Sequence, residues 1–167
     1  MWPVFEELLT AVRRCMKAAG LPVQPAMAAS AMPEGAVVSV GLAEGELCPA
    51  GAGAYLGLTR DRKTGDEVEQ FGCRAELTLF FDCWSTEGGG ACLELFQQAA
   101  ASLEGLAGGL RLRQISCGEA AYDKGCRRFH CRGTARGTAF FVAEADGETA
   151  VIRDFTLRGV IRDDRDQ

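Results

Sequence analysis

The residues best suited to metal chemistry fall in one stretch of the chain. The sole histidine, His130, lies beside Cys131, and Cys117 and Cys126 precede it. Thiolates and imidazole are the usual zinc ligands, but adjacent residues of a strand point to opposite faces, so His130 and Cys131 cannot easily bind one ion. No Cys-x-x-Cys pair occurs in the chain. We therefore expect no metal, no cofactor and an exposed strand histidine.

A cysteine nucleophile activated by His130 meets the same objection. Catalytic thiols need an electropositive, partly exposed setting. The alternation of apolar residues instead places Cys73, Cys83 and Cys131 on an inward face, where cysteine behaves as a small hydrophobe. The sequence predicts no catalytic residue and no enzyme. We expect all the cysteines to be reduced, namely Cys15, Cys48, Cys73, Cys83, Cys92, Cys117, Cys126 and Cys131.

Three consecutive glycines, Gly88 to Gly90, precede a predicted helix and could present backbone N–H groups to a phosphate. The Lys-Ser/Thr pair of a P-loop does not follow them, however, and Glu87 would repel an anion. A flexible step from strand to helix is the favoured interpretation.

Arg128, Arg132 and Arg136 share one predicted strand face with His130. This face could bind an anion or a protein partner, or it could be the solvated side of a half-covered antiparallel sheet. The residues favour neither alternative.

Composition limits the classes of protein that these residues can serve. A length of 167 residues suits one domain, predicted over 1–162 with a disordered tail at 163–167. The net charge of −5 argues against general nucleic-acid binding, which needs clustered Lys and Arg. No window approaches the roughly 18 uninterrupted apolar residues of a membrane span. The first residues lack the basic start of a signal peptide, so we expect a soluble, intracellular protein.

The periodicity of apolar residues predicts an α+β fold with a mainly antiparallel sheet and two principal helices on one face. A helix is expected from about Trp2 to Ala19, with apolar residues three and four apart, and Gly20 and Pro22 end it. The Ala-rich run 26–32 could form a helical turn or a packed loop. Strands are expected at 36–42 and 54–59, with a loop between them through Gly45, Pro49, Gly51 and Gly53, and a charged hairpin tip at 60–67.

The clearest predicted element is a strand from Val68 to Trp84. Its apolar residues fall on one parity, which is typical of a half-buried, central antiparallel strand. A second helix, 91–106, is expected to pack on this strand through Leu93, Phe96, Ala100 and Leu103. The face that it should cover contains Phe71, Leu77, Leu79 and Phe81. Further strands are predicted at 110–117, 128–141 and 150–161, with a hairpin turn at Asp146 and Gly147.

This order of elements resembles the tail terminator and tail-completion proteins of long-tailed bacteriophages and their prophage relatives. The likeness covers most of positions 1–142. Its clearest stretches are 74–81 (RAELTLFF) running into 91–96 (ACLELF), and 115–123 (ISCGEAAYD) leading into the strand from Arg128. The last predicted strand, which contains 154–160 (DFTLRGV), is longer than the usual end of that family, and this also admits a neck, minor-capsid or baseplate part.

The resemblance implies a structural virion part and not an enzyme. Such proteins form a ring, commonly of six copies, that ends the tail tube and joins it to the head. The implied partners are the chain itself, the tube protein and head-tail connector proteins, in the host cytoplasm during assembly and in the virion tail. Neither sequence-specific binding to nucleic acid nor binding to a membrane is implied. The alternatives are a small ligand-binding or thioesterase-like α+β protein, and a cytoplasmic regulator that binds another protein.

Overall fold

Within the residues that the structure describes, two α-helices and one eight-stranded sheet make up the fold. A computed structural model describes residues 4–25, 35–49, 54–106, 109–145 and 156–157. The helices are α1 (Val4–Ala18) and α2 (Gly89–Ser102), and a short 3-10 helix, Leu103–Leu106, follows α2. The strands are β1 (Val23–Pro25), β2 (Val37–Pro49), β3 (Tyr55–Arg60), β4 (Glu67–Ser85), β5 (Leu110–Cys117), β6 (Ala121–Asp123), β7 (Arg128–Ala145) and β8 (Thr156–Leu157). The predicted α+β class with a mainly antiparallel sheet is confirmed.

Helix α1 forms where the sequence predicts it. Leu8, Val12 and Met16 recur every four residues and are fully buried against the sheet. Gly20 ends the helix with a φ of 81°, and the N–H groups of Gly20 and Leu21 donate to the carbonyls of Lys17 and Met16. The predicted start at Trp2 lies outside the described residues.

Two long strands, β4 and β7, form the centre of the sheet. They pair antiparallel without a break from Glu69 opposite Ala145 to Ser85 opposite Phe129. The order of the main strands is β1-β2-β4-β7-β5, so the prediction of a central β4 is confirmed. Both helices lie on the same side of this sheet, and the apolar parity of β4 forms the core beneath them.

Strand β2 is longer than predicted. It continues to Pro49, through Gly45, where a loop was expected. An added Cβ at Gly45 would lie 2.7 Å from Cζ of Phe5, so this glycine admits the ring of Phe5 and makes no turn. The interpretation of Gly45 and Pro49 as loop residues is therefore wrong, and residues 51 and 53 lie outside the described ranges.

Two short strands were not predicted. Strand β1 pairs parallel with β2, and β6 pairs antiparallel with β7. Each has only three residues, which is too short for an alternating pattern to be visible in the sequence. Residues 26–32, the turn at 146–147 and the tail at 163–167 lie outside the described ranges, and of the last predicted strand only β8 is described, paired with β7.

Helix α2 packs on the expected face of β4, with the ring of Phe96 edge-on to that of Phe81 at 6.0 Å between centroids. The helix face itself differs from the prediction, because Leu93 is 39% exposed and Ala100 is only partly buried. The residues that α2 buries are Cys92, Leu95, Phe96 and Ala99. The helix contains alanines on several of its sides, so the spacing of its apolar residues alone does not show which side faces the sheet. The predicted Leu103 is buried in the 3-10 helix.

Strands β3 and β4 form the predicted hairpin with a charged tip. Arg60 lies opposite Glu67, and the N–H of Asp61 donates to the carbonyl of Asp66 at 2.9 Å. Strand β3 pairs with β4 beyond the end of β2, and its large side chains are exposed. Among the described residues, neither helix has the length and hydropathy needed to cross a membrane.

Candidate functional site

The outer face of the sheet, opposite the helices, carries an ion pair whose carboxylate is buried. Asp82 of β4 and Arg132 of β7 are direct partners in the strand register. Arg132 donates from Nε to Oδ1 and from Nη2 to Oδ2 of Asp82, both at 2.7 Å. This two-pronged geometry is the strongest that a guanidinium makes with a carboxylate. Asp82 is only 9% exposed, so the pair joins the two central strands in a partly desolvated setting.

His130 completes this cluster. Its Nε2 lies 2.8 Å from Oδ1 of Asp82, and its ring stacks on Trp84, its register partner, at 4.0 Å between centroids. The guanidinium of Arg132 lies over the ring of Phe80 at 4.6 Å. Aromatic rings thus contact both side chains that hold the carboxylate of Asp82. We call Phe80, Asp82, Trp84, His130 and Arg132 the outer cluster.

The electrostatics of the outer cluster favour the ionised form of Asp82. Burial alone raises the pKa of its carboxyl, but the hydrogen bonds from Arg132 and His130 outweigh burial and lower it below the usual value. The same contact raises the pKa of Arg132. Both oxygens of Asp82 are engaged, so this carboxylate is suited to holding strands together and poorly suited to accepting a proton from a substrate.

A charged trough of about 480 Å³ lies further along the same face. Glu44 of β2, Glu76 of β4, Arg136 of β7 and Arg113 of β5 contribute to its lining, so it crosses four strands. Opposite charges pair loosely within it: Arg113 lies 3.5 Å from Glu76, and Arg136 lies 4.0 Å from Glu44. Small-molecule pockets are mostly apolar with few polar groups, whereas several charged side chains line this trough.

The structure does not bring the four residues considered for zinc together as one set, although it places Cys117 near Cys131. His130 points to the outer face, whereas Cys131 is buried beneath the helices, as the alternation predicts. Cys126 lies in the turn after β6, where its N–H donates to Asp123 at 3.3 Å. No group of three or more potential metal ligands occurs within the described ranges. The expectation of an exposed His130 is wrong in one respect, because its ring is held by Asp82 and Trp84.

The inner face brings four thiols into one region, those of Cys83, Cys92, Cys117 and Cys131. Cys83 and Cys131 are opposite each other in the register of β4 and β7. Burial raises the pKa of the Cys131 thiol to about 12 and that of Cys83 further still. Thiols with raised pKa values are poor nucleophiles at neutral pH. The predicted burial of Cys73, Cys83 and Cys131 is confirmed, and all eight cysteines are free.

The glycine run lies at the start of α2. Gly88 has a φ of 141° and caps the helix without a side chain, and an added Cβ at Gly89 would lie 3.1 Å from Cβ of Ala120. Close packing and a sharp change of direction therefore account for these two glycines. Their geometry supports a structural step from strand to helix.

The three arginines predicted on one face have three different environments. Arg128 is buried and donates from Nη1 to the carbonyl of Gly35 at 2.9 Å, so the alternative of a solvated face does not hold for this residue. Arg132 belongs to the outer cluster, and Arg136 is exposed at the trough. Sequence reasoning did not find Asp82 and Trp84 as partners of His130, because only the register of β4 and β7 shows that they meet.

Comparison with known proteins adds no assignment. The chain matches no protein-family model, and no curated protein matches it.

Proposed function

We propose that this chain is a structural assembly protein of a phage or prophage tail. In this proposal, copies of the chain form a ring that ends the tail tube and joins it to the head. The chain would act in the cytoplasm of a bacterial host during assembly and afterwards in the virion tail. The order of elements, with its likeness to tail terminator proteins, is the reason for naming this class.

The observation that supports the proposal best is the exposure of large apolar side chains on the outermost strands. On β3, Leu58 is 62% exposed, Leu56 is 47% exposed and Tyr55 is 45% exposed. On β5, Ile115 is 46% exposed. Apolar strand edges promote pairing with other chains, and natural proteins usually cover or charge them. A protein that functions within an assembly can leave them open until its partners arrive.

The outer face supports a structural role over the alternative of a small ligand-binding or thioesterase-like protein. Its trough is lined by carboxylates and guanidinium groups that pair with each other. The carboxylate of Asp82 is already occupied by Arg132 and His130. With these contacts made, the charged groups of the outer face already have partners within the protein.

The test uses the full chain together with the tail-tube protein that the proposal expects to be encoded beside it. Negative-stain microscopy of tubes grown with the chain should show an added ring at one end and a limited tube length. The variant Leu58→Lys charges the most exposed of these apolar side chains without disturbing the core, and it should weaken the capping of tubes. If tube growth is unchanged and the chain neither caps tubes nor co-elutes with them, the proposal is wrong, and the ligand-binding alternative takes its place.

A further inference from the structure

The two lateral edges of the main sheet carry opposite charges. One edge is residues 43–49 of β2, which contain Glu44 and Glu46 and no basic residue. The other is residues 111–117 of β5, which contain Arg111 and Arg113 and no acidic residue. We call them the β2 edge and the β5 edge. Among the described residues, the β2 edge pairs only with β4, and the β5 edge pairs only with β7.

The strand directions allow the β5 edge of one copy to pair with the β2 edge of a second copy. From β2 through β4 and β7 to β5, each neighbour runs antiparallel to the last, so β5 runs opposite to β2. A copy placed beside the first by a sideways shift would therefore set its β2 antiparallel to β5. The helices of both copies would remain on the same side of the continued sheet. The alternation of strand direction would pass unbroken from one chain to the next.

The register across the sheet then decides which residues would meet. Glu46, Glu76, Thr138 and Arg111 occupy one row across the four strands. Extending that row into a second copy sets Arg111 directly opposite Glu46. The neighbouring row runs from Glu44 to Gln114, next to the bulge that contains Arg113. Opposite charges in such positions favour pairing between strands.

The inner face is complementary in the same register. Ile115 lies in the row of Leu42, and Leu110 lies in the row of Leu47. Ile115 is 46% exposed, while Leu42 and Leu47 are partly buried. Pairing of the two edges would thus cover the exposed isoleucine of β5 with an apolar side chain of the next copy.

We infer that the β2 edge of one copy binds the β5 edge of another, by antiparallel strand pairing with Glu46 opposite Arg111. The contact uses two different surfaces of the same chain, so it repeats from copy to copy and can close into a ring. The inference rests on the proposed function, in which copies of the chain associate into a ring. It deepens that function by naming the two surfaces that join the copies. It predicts that the full chain associates with itself at high concentration, and less strongly as salt is added.

Charge reversal tests this contact. The double variant Glu44→Arg/Glu46→Arg makes both edges basic, and Arg111→Glu/Arg113→Glu makes both acidic. Sedimentation velocity should show that self-association of each variant is at least about tenfold weaker than that of the unmodified chain, because like charges then face each other. Mixing the two variants should restore association, since a basic edge then meets an acidic one. Unfolded variants would not be rescued in this way.

A matched control reverses two acidic residues elsewhere. Glu94→Arg/Glu104→Arg changes the net charge equally at exposed positions of α2 and the 3-10 helix, and it should associate like the unmodified chain. If the edge variants associate normally, or if their mixture shows no rescue, the inference is overturned while the ring proposal stands. If the unmodified chain does not associate at millimolar concentration, the inference is also overturned, and the tube experiment alone decides the proposed function.

Discussion

The two faces of the sheet keep their central strands together by different means. On the inner face, Leu79, Phe81 and Cys83 are fully buried beneath the helices, and apolar packing dominates. On the outer face, Asp82 is almost as buried, but it is held by hydrogen bonds from Arg132 and His130. Hydrophobic packing has no fixed direction, whereas the ion pair needs a particular register. The comparison indicates that the inner face supplies most of the stability and that the outer face fixes the alignment of β4 and β7.

The largest effect should come from placing a charge on the inner face. Leu79→Asp puts a carboxylate without a partner into the core and should lower the free energy of unfolding by about 4 kcal/mol. Urea denaturation measures the change. Leu93→Asp is the control, because Leu93 is 39% exposed on α2 and its replacement should cost less than about 1 kcal/mol. Similar losses in both variants would contradict the orientation of α2.

A smaller effect should follow from adding one methyl group between the helix and the sheet. A Cβ at Gly133 would overlap the ring of Phe96, which is itself buried, so Gly133→Ala should cost about 2 kcal/mol. Gly90→Ala serves as the control. It has open space around its Cα and should be neutral or slightly stabilising in thermal unfolding. An unchanged melting temperature for Gly133→Ala would show that α2 lies further from β7.

On the outer face, Asp82→Asn should cost about 1 to 2 kcal/mol, because Arg132 and His130 lose their charged acceptor but keep access to water. The exposed pair of Arg136 and Glu44 provides the control, and Glu44→Gln should change stability by less than about 0.5 kcal/mol. Chemical denaturation at neutral pH measures both. Equal effects would mean that the pair of Asp82 and Arg132 contributes no more than the exposed pair of Glu44 and Arg136.

The same pair predicts a pH dependence with a definite sign. The pKa of Asp82 is lower in the folded chain than in the unfolded chain. The contribution of this carboxylate to the free energy of unfolding is therefore complete above the pKa of Asp in the unfolded chain, about 3.9. It should be lost as pH falls through the folded pKa. The stability difference between the unmodified chain and Asp82→Asn should therefore shrink on acidification. A difference that grows as pH falls would contradict the assigned direction.

The smallest effect concerns the thiols and leaves stability unchanged. Cys117 is exposed, whereas Cys83 and Cys131 are buried with raised pKa values. A thiol reagent such as Ellman's reagent should react quickly with Cys117 and slowly with the buried pair, and Cys117→Ser should remove a fast phase. After unfolding without reductant, the titration should approach the full count of eight. Fast reaction of the buried thiols would show that α2 opens readily.

The sequence predicted the inner face better than the outer one, for a physical reason. Apolar residues of β4 repeat at every second position, and this pattern alone shows which side is buried. The outer cluster depends on which residues of β4 and β7 are opposite each other, and polar alternation carries no such information. Arg128 shows the same difficulty, since its acceptor, the carbonyl of Gly35, is far away in the sequence. The continuation of β2 through Gly45 was missed because glycine usually indicates a turn.

The unbroken pairing of β4 with β7 has a consequence for the order in which the chain folds. No short hairpin turn joins these strands, since α2, β5 and β6 lie between them. The intervening chain is shortest where Ser85 meets Phe129 and longest where Glu69 meets Ala145. Closing the shorter loop costs less entropy. Pairing should therefore start next to α2 and proceed towards the β3–β4 hairpin, and this dependence on distant contacts places refolding among the slower single domains.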